Sequence, residues 1–192
     1  MDKTNNKKDS GERVFIASSE LFSNFQTKIS LYDISTIDIS QKSYLDILLN
    51  RKLHTRQKSS FNTYFGKGRL ARSTGKVTPR NWFEGEIVVD QRTTRHPLYP
   101  KGEFKVITDD GFTFECTNLS KKNNSSNHYK NIRSKGDLHT LGKWLKLKLQ
   151  KSGALEPLTL VTAETFEKYG QDNLRLYKIS KGVYFMEFKP KT

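Results

Sequence analysis

The sequence predicts a mainly β domain with two short helices, an α+β fold built on a mostly antiparallel, barrel-like sheet. Three observations carry this. Apolar and polar residues alternate over six or seven short segments in the final two-thirds of the chain. Asp110-Gly111 and Lys181-Gly182 supply hairpin turns between such segments. That same part of the chain has only two stretches of helical spacing, too few for the crossovers of a parallel sheet. The 192 residues suit one domain with an extension. At 34% hydrophobic and 11% aromatic there is enough for a core. The mean hydropathy of −0.74 points to much solvated chain.

Residues 1–12 are polar and read as a disordered lead. Residues 13–66 read as an N-terminal extension that ends in a basic linker. Its apolar positions run from Val14 and Phe15 to Ile34, Ile37 and Ile39, and are spaced as in an extended segment. Residues 40–49 read as a short helix capped by Ser40, and 51–66 as the linker. The domain proper is then 67–192. A strand over 82–90 places Phe83, Ile87 and Val89 on one face, and Pro97 and Pro100 break the chain after it. In 102–118, Phe104, Val106 and Thr108 alternate, Asp109-Asp110-Gly111 turns, and Phe112, Phe114 and Cys116 alternate on the return. A polar loop over 119–128 leads to a return strand at 129–134. A helix over 137–151 aligns Leu138, Leu141, Leu145 and Leu149, with Lys143 and Lys146 off that face and Gly153 as its stop. Thr162 caps a helix over 163–169, and 174–179 with 183–188 form the last hairpin. There is no internal repeat.

Several function classes are disfavoured. A single cysteine, Cys116, cannot form an internal disulfide, fits a reducing cytoplasm, and reads as a small hydrophobe in a strand. The four histidines are scattered, so no zinc site is expected. No apolar run has the length of a membrane span, and the N-terminus has no secretory character. Asp109 and Asp110 belong to a turn rather than a metal site, and Glu84 and Glu86 read as solvent-facing. His128-Tyr129-Lys130 begins like a phospholipase D-type nucleophile motif, but the next acid, Asp137, lies too far along. Gly66-Lys67-Gly68 is too short for a phosphate loop. No catalytic residue, metal or cofactor is expected.

Charge is the strongest functional signal. Residues 51–80 hold nine basic side chains and no acid. Residues 117–151 hold nine more against the single acid Asp137, so the two stretches contain the whole net charge of +14 and more. Two dense basic segments flanking a balanced one suit two surfaces on one polyanion. The first supplies Arg69, Arg72, Lys76, Thr78, Arg80 and Asn81. The second supplies Asn118, Lys121, Lys122, Asn123, Asn124, Asn127, His128, Lys130 and Arg133. Arginine and lysine pair with guanine edges, asparagine with adenine, and both cations anchor phosphates. Lys143, Lys146 and Lys148 are either phosphate contacts or a solvated helix face. The aromatics alternate in strands as core, not as stacking platforms, which favours duplex over single strands.

Residues 102–116, 141–149, 168–179 and 184–188, in that order and spacing, resemble the C-terminal domain of NgoFVII-type restriction endonucleases, with the likeness covering about residues 69–189. The resemblance implies a seven-stranded DNA-binding pseudobarrel related to the plant B-three fold. It implies two arms in the major groove, mapping to 69–82 and 118–133. In that family a phospholipase D-like nuclease domain precedes this one and cuts without metal. Residues 1–68 carry no such motif and are too short to hold the domain. The expectation is a target-recognition domain or subunit of a type II restriction endonuclease that binds double-stranded DNA, with a separate nuclease or helicase subunit as a further partner. The alternatives are a small nuclease with an unrecognised active site and an RNA-binding accessory protein.

Overall fold

The computed structural model describes residues 30–49, 60–118 and 131–190. Its strands are β1 (Tyr44–Leu48), β2 (Arg69–Leu70), β3 (Val77–Thr78), β4 (Ile87–Val88), β5 (Glu103–Thr108), β6 (Thr113–Thr117), β7 (Asn131–Ser134), β8 (Asn173–Ser180) and β9 (Val183–Glu187). Helices are α1 (Gln91–Thr94), α2 (Thr140–Lys151) and α3 (Ala163–Tyr169), with 3-10 turns at Ile34–Thr36 and Ser60–Phe65. Seven strands make one curled sheet, an open half-barrel, in the order β1-β8-β9-β5-β6-β7-β4. Only the β5–β9 pairing is parallel. The mainly β, mostly antiparallel fold expected from the sequence is therefore the one observed, and β2 with β3 forms a separate hairpin.

Residues 40–49 depart from expectation. They form strand β1, not a capped helix, and pair antiparallel with β8. Leu45, Ile47 and Leu49 are buried while Tyr44, Asp46 and Leu48 are exposed, the period-two pattern of an edge strand. Opposite Asp46 stands Arg175, whose guanidinium donates to both carboxylate oxygens at 2.7 and 3.0 Å and lies 3.8 Å over the Tyr44 ring. The sheet thus takes in a strand from the residues expected as an extension. Phe61, from the region expected as a linker, is also core. The lead at 1–12 and the apolar residues from Val14 to Ile29 lie outside the described residues.

Two apolar clusters lie on opposite faces of the sheet. Val106, Leu176, Tyr184 and Met186 join the main core with the helices. Ile107, Tyr177 and Phe185 alternate with them, and Ile34, Ile37 and Ile39 cover that second cluster. The covering segment is pinned at the core hairpin, where Tyr32 N–H donates to Gly111 carbonyl at 2.8 Å. Gly111 sits at φ +86°, as the Asp-Gly turn requires.

The turn aspartates do more than turn. Asp109 is buried and accepts from Phe188 N–H at 2.8 Å and from the Lys148 ammonium. Burial raises its carboxyl above the ordinary pKa, against the pull of Lys148. Asp110 accepts from Trp144 Nε1 at 2.9 Å, which ties the hairpin to α2. Cys116 is fully buried, as a small core hydrophobe.

Helix α2 begins at Thr140 instead of residue 137. Asp137 instead forms the preceding turn, accepting from His139 N–H at 2.9 Å and Thr140 Oγ1 at 3.0 Å. More of the helix is buried than one apolar stripe, because Trp144 and Leu147 join Leu141, Leu145 and Leu149 in the main core. Lys146 is fully buried, donates to the Trp82 carbonyl, and lies 4.6 Å from the centre of the Trp82 ring. Lys148 turns to Asp109, and Lys143 lies 5.9 Å over Phe83. These lysines are therefore tied into the fold rather than forming a solvated face. Helix α3 follows the sequence reading, with a Thr162–Thr165 capping box and Gly170 at its end.

The strand expected over 82–90 shortens to β4. Trp82 and Phe83 are instead buried in a turn against α2, and Gly142 is what lets the helix approach. A Cβ there would stand 2.0 Å from the Phe83 carbonyl oxygen and 3.1 Å from Gly85 N.

Candidate nucleic-acid interface

Residues 69–78 of the first basic stretch fold into the β2–β3 hairpin. Arg69 pairs with Thr78 and Leu70 with Val77, and Ala71 N–H donates to Lys76 carbonyl at 2.8 Å across the loop. Arg72, Lys76 and Thr78 are exposed on it. The Thr78 hydroxyl donates to the Arg69 carbonyl at 3.3 Å, whereas Arg72 has no hydrogen bond or ion pair among the described residues. Leu70 and Val77, both more than half exposed, form an apolar pair on the same hairpin. Exposed apolar groups beside arginine suit the thymine methyl as well as the guanine edge.

At the hairpin's root the arginines are held. Arg69 Nη2 donates to Glu84 Oε1 at 2.8 Å, and Arg80 Nη1 donates to the same oxygen. Arg80 Nε donates to the Lys67 carbonyl at 3.1 Å. Asn81 is exposed, but its Oδ1 accepts from Phe83 N–H at 2.8 Å, so half of its amide serves the local turn.

Glu84 is the residue that sequence reasoning missed. Read as solvent-facing, it is 7% exposed. Its signal was available: it is the first acid after the run of nine bases, four residues from Arg80.

Of the second stretch's candidate residues, Asn118 and Arg133 are described. Lys121, Lys122, Asn123, Asn124, Asn127, His128 and Lys130 lie outside the described residues. Asn118 is 2% exposed, donates to the Pro100 carbonyl and accepts from Gly102 N–H at 2.8 Å. Its amide is buried against this backbone rather than presented at the surface. Arg133, on β7, is exposed.

The sheet brings the two stretches together. Strand β4, which follows the hairpin, pairs with β7, which ends the second stretch, through Ile87–Ile132 and Val88–Asn131. Beside this pairing opens a cleft of about 650 Å³ lined by Lys67, Arg69, Arg80 and Arg133, with Glu84 and Glu86 in its wall. Four cations against two acids leave the cleft lining net positive. The tip residues Arg72 and Lys76 stand outside it.

With this geometry stands a family match. Residues 35–180 match the family described as the NgoFVII C-terminal B3-like DNA-binding domain. The chain belongs to this family. The match begins well before residue 69 and takes in β1, in keeping with the place of that strand in the sheet. No curated protein matches the chain. As a B3-like domain it is a DNA-binding domain. No described helix is long and apolar enough to cross a membrane.

Proposed function

We propose that this B3-like domain binds double-stranded DNA in a sequence-specific way, as the target-recognition domain or subunit of a type II restriction endonuclease. The observation that carries the reading is the basic β2–β3 hairpin, which stands beside a cleft shared with Arg133 in a chain of a DNA-binding family. The hairpin is the first arm and enters the major groove. Residues 118–133 supply the second. Arg72, Lys76 and the polar loop from Lys121 to Lys130 read base edges, while the cleft cations hold phosphates. On this reading the further partner is a separate nuclease or helicase subunit.

Binding is expected to fall steeply with salt. An interface that neutralises about six phosphates loses on the order of a thousand-fold in affinity between roughly 50 and 200 mM salt. Gel shifts of the full chain on duplex DNA across that range check this. Structured RNA as competitor separates the duplex reading from RNA binding, because a duplex binder keeps its complex when RNA is in excess. Plasmid incubated with the protein, with and without EDTA, should stay intact if the chain only recognises DNA.

A further inference from the structure

An acid buried at the root of a basic arm needs a reason. In a protein of net charge +14 that binds a polyanion, a carboxylate beside the contact surface repels phosphate. Its burial also costs desolvation unless it is well paired. The Glu84 side chain is only 10% exposed, while its partners Arg69 and Arg80 are 50% and 29% exposed. The partners come from the two legs of the hairpin: Arg69 opens β2, and Arg80 lies two residues past the end of β3. One oxygen, Oε1, therefore ties both legs.

The hairpin needs such a tie. Its two strands pair over only two positions each, and a two-stranded ribbon is marginal by itself. The anchor is firm by contrast. Glu84 N–H donates to Asn81 carbonyl at 3.0 Å, and the Glu84 carbonyl accepts from Thr63 Oγ1 at 2.8 Å. On either side of it, the Trp82 carbonyl is held by Lys146 and the 83–85 backbone lies against Gly142.

We propose that Glu84 is the positioning residue of the first arm, holding Arg69 and Arg80 so that the hairpin meets DNA already ordered. The proposal rests on the reading above that this hairpin is a DNA-contacting arm. Ordering before contact lowers the entropy lost on binding, and that gain belongs to the specific complex, where the arm must fit. Both guanidinium groups keep donors for DNA: Arg69 Nε and Nη1, and Arg80 Nη2, have no partner among the described residues.

Glu84→Gln in the full chain tests this, because electrostatics and positioning predict opposite outcomes. Removing a negative charge from the contact surface should by itself strengthen binding to every duplex. Positioning predicts that affinity for the selected duplex falls about tenfold while affinity for random duplex holds or rises, with an unchanged salt slope. In the free protein, hydrogen exchange at the Ala71 and Gly75 amides should quicken about tenfold as the hairpin loosens. If both affinities rise together, or exchange is unchanged, the proposal is overturned. Should wild type select no duplex motif, the specific-recognition reading fails, and the exchange measurement alone decides the role of Glu84. If Glu84→Gln does not fold, Arg69→Gln, half-exposed and cutting the same tie, carries the same expectation for exchange.

Discussion

Gly142→Ala is expected to destabilise the domain by about 3 kcal/mol, the upper part of the range for overpacking. Helix propensity alone predicts the opposite, since alanine in a helix interior is favoured over glycine by about 1 kcal/mol. Packing wins here because of what the new methyl meets. It would lie 2.0 Å from the Phe83 carbonyl oxygen and 3.1 Å from Gly85 N, both backbone atoms with no rotamer to yield. Helix α2 would have to step away, drawing Leu141 and Leu145 from the core and Lys146 from the Trp82 carbonyl. The segment that would shift carries Glu84, so DNA affinity should fall along with stability. Urea or thermal unfolding checks the sign directly, and a loss of that size lowers the melting temperature by roughly 6–12 °C in a domain this large.

The second large effect is on pH dependence. Burial pushes the Lys146 ammonium down to about 7, with Glu84 opposing the shift. In the unfolded chain this lysine titrates near its ordinary value of 10.5. Between those values the unfolded state holds a proton that the folded state lacks, so the Lys146 contribution to stability rises with pH. The slope is at most about 1.4 kcal/mol per pH unit. A neutral amine still donates to the Trp82 carbonyl, so losing the charge does not cost the bond. Above about pH 10 the buried Tyr169 and Tyr184 act the other way, because burial raises their pKa and the unfolded state then loses protons first. Lys146→Met isolates the lysine. Between about pH 7 and 9 the stability difference should move in favour of wild type by roughly 2 kcal/mol, measured by urea denaturation at each pH. Parallel profiles would mean that Lys146 is not titrating in this window.

What could be read in the sequence was whatever is decided locally. The Asp109-Asp110-Gly111 hairpin and the Thr162 cap depend on residues within a few positions of each other, and both appear as expected. Strand β1 was misread because Leu45, Leu48 and Leu49 also fit helical spacing after a serine cap. Its partner settles the matter, and that partner is distant: Asp46 and Arg175 are 129 residues apart. The roles of Lys146 and Glu84 are likewise set by what packs over them. A lysine off the leucine stripe is exposed on an isolated helix and buried on one lodged in a half-barrel. The charge asymmetry marks the basic β2–β3 hairpin, yet charge alone cannot separate Arg72, which has no partner among the described residues, from Arg80, which is tied to Glu84 at the root. Asn118 was chosen for its amide, and the fold uses that amide on its own backbone.

On the function proposed above, two basic segments of this domain read a DNA sequence. Selection from a random duplex pool by the full chain, run beside Arg72→Ala, tests it most directly. Wild type should enrich one short motif, and Arg72→Ala should lose preference at a single position of it, a loss of about 1–3 kcal/mol in discrimination. A pool that emerges from wild-type selection with no enriched motif would contradict it.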